Sequence, residues 1–276
     1  MPLDVLAEVI TNTRLSSDYN VLALAAPSIA RQARPGQFVM VKTALGLDPL
    51  LRRPFSIFEY VRDAEGALAG ISLLNKRVGV GTSRIFDARP GDLVSVLGPL
   101  GQPFAPVDPP AEAWMVAGGV GLAPFISLAE ALAGRGTPMT LFYGGRSASD
   151  IYYASWFQEL GATLALTTED GTAGERGRVT IPLERALAAT PSDRPVTLYA
   201  CGPTPMMRAV AHLGHAAHRQ TFVSLEPVMG CGMGGCYSCV VRVQHGNASH
   251  FVRSCLEGPV FDAATVLWDA LPAGGH

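Results

Sequence analysis

Gly230-Cys231-Gly232-Met233-Gly234-Gly235-Cys236-Tyr237-Ser238-Cys239, answered by Cys255, holds four of the five cysteines of the chain. Their spacing is Cys-x4-Cys-x2-Cys-x15-Cys. The first three follow the plant-type [2Fe–2S] pattern, in which the fourth thiolate arrives from further along. Three thiolates must converge from one tight loop. Gly230, Gly232, Gly234 and Gly235 remove Cβ atoms and permit positive φ, so backbone N–H groups can turn toward the sulfurs. A structural zinc site generally uses two Cys-x2-Cys pairs or a Cys/His mixture. Only one such pair exists here, and Cys231, Cys236, Cys239 and Cys255 are read as ligands of a [2Fe–2S] cluster. Such a group moves one electron at a time, so the upstream chain should hold the other end of an electron path.

The 276 residues suffice for two domains of ordinary size and a small appendage. A hydrophobic content of 48% with 16% charged residues describes a globular protein with ample core. A net charge of −2 gives no electrostatic case for nucleic acid. Met1-Pro2-Leu3-Asp4 lacks a basic n-region and an apolar h-region, which predicts no signal peptide. No window reaches the roughly 18 apolar residues that span a bilayer. Cysteines clustered as ligands rather than scattered as a disulfide framework point to a reducing, cytoplasmic setting without a membrane.

Upstream, Leu3 to about Leu100 reads as β-rich. Short apolar runs such as Val21-Leu22-Ala23-Leu24, Phe38-Val39-Met40-Val41 and Ile71-Ser72-Leu73-Leu74 are separated by turn signals such as Arg34-Pro35-Gly36 and Arg89-Pro90-Gly91-Asp92. This predicts an N-terminal antiparallel β-barrel, interrupted by one helix after Gly81-Thr82. After Gly98–Pro110 the rhythm changes. Strands at Trp114–Ala117, Thr140–Tyr143, Thr163–Leu166 and Thr197–Ala200 alternate with helices, which predicts a doubly wound parallel α/β unit. The expected division is 1–100, 101–221 and a small C-terminal unit, 222–276.

Three further motifs suggest chemistry. Arg53-Pro54-Phe55-Ser56 presents a guanidinium fork and a hydroxyl on a strand start, suited to a pyrophosphate, although surface arginines at a strand start read the same way. Val78-Gly79-Val80-Gly81-Thr82-Ser83 opens a helix whose free N–H groups can hold a phosphate, or whose Thr82 and Ser83 are plain N-caps. Gly118-Gly119-Val120-Gly121 and Cys201-Gly202-Pro203 each turn a strand into a helix, where α/β sheets bind nucleotides. The former is not the dinucleotide fingerprint, because Ala123 and Pro124 stand where a third glycine would come. His212, His215 and His218 read as a solvated helix face. Neither a Ser/His/Asp hydrolase nor a two-carboxylate glycosidase finds support.

Taken together, the chain resembles the ferredoxin–NADP reductase superfamily with a C-terminal [2Fe–2S] domain. More narrowly, it is similar to the electron-transfer subunits of the two-subunit, NAD-linked (type B) dihydroorotate dehydrogenases. The similarity runs through Leu51–Ile57, Gly79–Thr82, Val96–Gly101, Gly118–Gly121, Tyr143–Arg146, Cys201–Pro203 and Cys231–Cys239, and ends in Cys255–Asp262. It implies FAD in the barrel, with Arg53, Pro54, Phe55 and Ser56 on its phosphates and ring edge, Gly81 and Thr82 on the far phosphate side, and Leu74, Asn75 and Lys76 along it. Asn75 and Lys76 depart from the aromatic and arginine usual there. It also implies NAD at Gly118, Gly119, Gly121, Cys201, Gly202 and Pro203, with Arg146-Ser147 a candidate contact for a 2′-phosphate. The partner implied is an FMN-containing catalytic subunit that oxidises dihydroorotate, in an assembly of two copies each, with electrons passing singly through the cluster to FAD and as hydride to NAD⁺. The alternatives are an NAD(P)H-oxidising subunit of another complex, of ferredoxin:NADP reductase or hydrogenase type, and a redox sensor without turnover.

Overall fold

The computed structural model describes the chain except residues 44, 45, 47, 247 and 272–276, so the tail of the expected third unit lies outside the described residues. The first part comprises β1 (Leu3–Arg14), β2 (Tyr19–Leu24), α1 (Pro27–Ala30), β3 (Phe38–Lys42), β4 (Arg53–Ser56), β5 (Tyr60–Arg62), β6 (Leu68–Lys76), α2 (Val80–Asp87) and β7 (Leu93–Leu100). These strands form one curled antiparallel sheet in the order β4-β3-β7-β1-β2-β6-β5. Period-two patterning drives the curl. On β1, Ala7 and Val9 point into the core while Leu6 and Ile10 remain exposed; on β3, Val39 and Val41 join that core.

The second part comprises β8 (Glu112–Gly118), α3 (Phe125–Ala133), β9 (Met139–Gly145), α4 (Ala154–Glu159), β10 (Thr163–Thr168), β11 (Glu175–Arg176), α5 (Thr180–Ala189), β12 (Val196–Cys201), α6 (Thr204–Ala216) and β13 (Gln220–Ser224). β8 and β12 read as nearly unbroken apolar runs because helices cover both faces of the sheet. Ala113, Met115 and Ala117 pack on one side, Trp114 and Val116 on the other. The sheet order is β11-β10-β9-β8-β12-β13, with a last short strand, β16 (Val260–Asp262), beyond β13. The chain winds one way from β8 and the other way from β12, so the crevice between their carboxyl ends is a topological switch point.

The last part holds the cysteine loop and the short strands expected there, and ties back into the α/β sheet. After the cysteine loop come β14 (Val240–His245), β15 (Ala248–Arg253), α7 (Ser254–Glu257) and β16 (Val260–Asp262). β14 and β15 form a separate hairpin, but β16 returns to pair antiparallel with β13 in the nucleotide sheet. The expected boundary at 221/222 therefore falls inside β13. Sequence periodicity does not show this, because a three-residue strand gains its register only from the sheet it joins.

The barrel and the α/β unit meet through aromatic pairs. Tyr19 packs on Tyr152 and Phe58 on Tyr153, each with ring centroids 4.9 Å apart. Beside them, burial raises the half-buried carboxyls of Glu59 on the barrel and Glu130 on α3, and the two carboxyls repel each other in the Glu130 site. The Ser72 hydroxyl donates to Glu59 at 2.8 Å, and Arg62 opposes the rise at Glu130. A raised folded-state value means that the folded chain holds protons that the unfolded chain has released. Stability should therefore be fullest below the ordinary carboxylate range and fall as pH rises through the window above it. Glu59→Gln should flatten this slope and raise the melting temperature at neutral pH by a few degrees at most, since both groups are partly screened by solvent; melting curves across pH check it.

Candidate functional site

The cysteine loop bends where side chains must be kept out. Gly232 and Gly234 take φ of +73° and +81°, and Tyr237, unforeseen from sequence, takes +59°. Gly230 serves by size: a Cβ there would stand 3.1 Å from the Cys236 sulfur. The loop and the chain that returns beside it bring the four thiols into one neighbourhood, with Cys231 beside Cys236, and Cys239 beside Cys255 in one buried cluster. Four thiolates, three from one loop and the fourth from further along, are the donor set of a plant-type [2Fe–2S] cluster. The donor set fits the group.

Electrostatics differ between the pairs. Hydrogen bonds from Ser238, then Cys231, hold the exposed Cys236 thiol down to about 6. Ser238 Oγ lies 3.2 Å from the Cys236 sulfur and accepts the Gly230 N–H at 2.8 Å. The Met233 N–H donates to Cys231 at 3.3 Å. Burial, reinforced by Cys239, pushes Cys255 up to about 12, so that proton leaves when metal binds. Ser238→Ala removes an outer partner of the kind that costs roughly tenfold to a hundredfold in metal affinity. Iron retention under graded chelator should fall by that amount while secondary structure is unchanged.

On the barrel, Arg53 and the glycine loop called by sequence are brought together. A Cβ on Gly81 would stand 3.2 Å from Arg53 Cγ and 3.3 Å from its Nε, so a bare helix start and a guanidinium share one cradle, as a pyrophosphate requires. Thr82 shapes that cradle from within. Its hydroxyl accepts the Val78 and Gly79 N–H groups at 2.9 and 3.0 Å. Arg52, by contrast, grips Asp4 through both carboxylate oxygens. Phe55 packs into the barrel core, whereas Pro54 and Ser56 pair with Met40 and Phe38 and share the opposite face.

Leu74 and Asn75 are buried, and only Lys76 of that trio lines the cleft. Asn75 has a structural occupation. It donates to Asn20 Oδ1 at 2.7 Å and to the Thr82 carbonyl at 3.0 Å; Asn20 donates to Asn12, which donates to the Ile85, Phe86 and Ala88 carbonyls. A relay of three asparagines across β6, β2 and β1 thus clamps both ends of α2.

At the switch point lies a cleft of about 640 Å³. Gly118, Gly119, Gly202 and Pro203 line it, with Lys76 and Tyr19 from the barrel and Arg146, Asp150, Glu169 and Arg178 around the rim. At the floor the two glycine turns lie back to back against Met206: a Cβ on Gly202 (φ +147°) would stand 2.8 Å from Met206 Cε and 3.0 Å from the Gly118 nitrogen. Gly121 sits just behind, against the Cys201 carbonyl carbon and Gly202 Cα. Cys201 is fully buried, its sulfur 3.7 Å from Glu226 Oε1; burial and then that carboxylate push the thiol up. Tyr19, Asp150 and Glu226 were missed from sequence. No motif marks them, because distant strand pairing and the return from β13 deliver them.

These features define a class: a flavin barrel, an NAD-binding sheet and a [2Fe–2S] loop in one oxidoreductase chain. Residues 115–212 match the oxidoreductase NAD-binding domain, and residues 226–267 match the iron–sulfur cluster binding domain of dihydroorotate dehydrogenase B. The chain is 38% identical over 244 residues to the dihydroorotate dehydrogenase B (NAD⁺) electron transfer subunit of Desulforamulus reducens, covering 88% of this chain and 90% of the relative. The same subunit of Geobacillus kaustophilus is 38% identical over 251 residues, covering 89% and 91%. Among solved structures, that of the NADH-dependent reduced ferredoxin–NADP oxidoreductase, described for flavin-based electron bifurcation, superposes with a TM-score of 0.82 at 28% identity, covering 96% of this chain and 91% of that one. The chain belongs to the family of electron transfer subunits of NAD⁺-dependent dihydroorotate dehydrogenase B.

Proposed function

We propose that this chain is the electron transfer subunit of an NAD⁺-dependent dihydroorotate dehydrogenase, acting in pyrimidine biosynthesis. Bound [2Fe–2S], FAD and NAD supply one-electron transfer, conversion between one and two electrons, and hydride acceptance. The observation that carries the reading is the packing of Cys239 and Cys255 with Met40 of β3, the strand paired with Arg53–Ser56, on a chain that also holds the glycine-turned NAD cleft.

In this reading Cys231, Cys236, Cys239 and Cys255 hold the cluster. Arg53 and the Gly81-Thr82 turn hold the FAD phosphates, and Pro54, Phe55, Ser56, Leu74, Asn75 and Lys76 form its surroundings, Leu74 and Asn75 by shaping the wall rather than by stacking. Gly118, Gly119 and Gly202 let the nucleotide pyrophosphate approach the backbone; Gly121, Pro203 and Cys201 set the turns beneath it. Arg146 is held by Asp150, which accepts the Arg146 N–H at 3.1 Å and lies 3.7 Å from its guanidinium. With Glu169 on the same rim, these carboxylates oppose a 2′-phosphate and favour NAD over NADP.

The partner is a catalytic subunit that oxidises dihydroorotate on FMN, in a cytoplasmic assembly of two copies of each chain. Val228, Met233, Tyr237 and Leu256 expose apolar surface beside the cluster loop, as a docking face would. Among the described residues no helix is long and apolar enough to cross a membrane. The likeness to the NADH-dependent ferredoxin–NADP oxidoreductase favours one second reading, service to a different redox partner. Anaerobic titration with NADH tests what the readings share: the flavin absorbance should bleach and the cluster absorbance follow. A colourless, zinc-loaded protein would contradict both.

A further inference from the structure

The cysteine loop and the strand pair that carries Arg53–Ser56 meet at one side chain. Met40 is fully buried on β3, and its alternate neighbours Val39 and Val41 face the barrel core. Met40 and Phe38 face outward, into a cluster with Leu97, Leu100, Met229, Cys239 and Cys255. On one flank Met40 sits directly across from Pro54 of the flavin strand. On the other it fills the space beside Gly232, within the cysteine loop, where a Cβ would come closest to Met40 Cγ and stand 3.1 Å from its Sδ. The positive φ and bare Cα of Gly232 are what let the loop descend onto this thioether. A polarizable, unbranched side chain suits an irregular gap of this kind.

We propose that Met40 is a positioning residue for electron exchange between flavin and cluster, its side chain from Cγ to the thioether fixing how closely the cysteine loop sits on β3, beside the flavin strand. The inference rests on the functional reading above. It predicts that Met40 governs the transfer between the two groups and neither of the reactions at their far sides. Each transfer moves one electron, so two transfers balance one hydride taken from NADH, and the proton leaves to solvent.

The test uses the cluster- and FAD-loaded protein under rapid anaerobic mixing with NADH, with flavin and cluster absorbance followed separately. Iron content, visible circular dichroism of the cluster and its midpoint potential are measured on each variant. Met40→Leu conserves volume and should fold; lacking the Sδ–Cε end, it should slow cluster reduction severalfold. Met40→Ala should slow it about tenfold, equivalent to about 1.4 kcal/mol of barrier. Flavin reduction by NADH, cluster dichroism and potential should stay at wild-type values, which a general structural defect would not allow. Wild-type cluster reduction in a fully iron-loaded Met40→Leu protein would overturn the proposal, as would a shifted potential that accounts for the slowing. Absence of flavin or cluster from the wild-type chain would instead defeat the functional reading itself.

Discussion

Cys236→Ser should abolish dihydroorotate-dependent NAD⁺ reduction while leaving NADH-dependent reduction of a small dye at the flavin largely intact. The expected split follows from the architecture. Cys236 is the exposed member of its thiol pair, held toward the thiolate by Ser238. A serine oxygen is a harder and far less acidic ligand, so one of the two irons loses half of its protein thiolates. The barrel cradle of Arg53 and Gly81, and the cleft floored by Gly118 and Gly202, share no side chain with that loop. Absorbance and iron content would report the lost cluster, and dye reduction the surviving flavin. Complete loss of dye reduction in a folded, FAD-loaded variant would contradict the separation of roles.

A second large effect should come from Gly121→Ala, one methyl group placed where only backbone stands. A Cβ there would lie 2.5 Å from the Cys201 carbonyl carbon and 2.7 Å from Gly202 Cα. No flexible side chain can yield, so β8 and β12 must be pushed apart at the switch point. Overpacking of this kind costs about 3 kcal/mol at the upper end of its usual range, a large share of the roughly 5–15 kcal/mol that holds a domain together. The variant should melt well below wild type and bind NADH weakly. The neighbouring Gly119→Ala has open space instead, its nearest neighbour being the Tyr19 hydroxyl at 3.7 Å, but it carries the strain of φ +54°. It should therefore cost less. Melting temperature and NADH titration of the two variants check the ranking.

Much of this site was legible because its chemistry is local. Cysteine spacing is a covalent constraint, and Gly118–Gly121 and Cys201–Pro203 each place glycines at a strand end where backbone must approach backbone. The alternation of β8 through β12 declared a parallel sheet for the same reason: the apolar runs are short, and the helices between them are of crossover length. What stayed hidden depends on distance in sequence. Asn75 looked like a defective flavin contact until Asn20 and Asn12, on two other strands, gave its amide partners. Glu226 has no motif and reaches Cys201 only because β13 lies beside β12. Met40 reads as one more apolar strand residue, and only the descent of the cysteine loop onto β3 distinguishes it from Val39.

The proposed function of this chain is to carry electrons from a dihydroorotate-oxidising partner to NAD⁺. Its most direct test is to purify the chain together with a candidate FMN-containing catalytic subunit and follow NADH formation from dihydroorotate and NAD⁺. NADH should form only when both chains are present, and its formation should disappear with Cys236→Ser. A stable, fully loaded complex that oxidises dihydroorotate with a dye yet forms no NADH would contradict it.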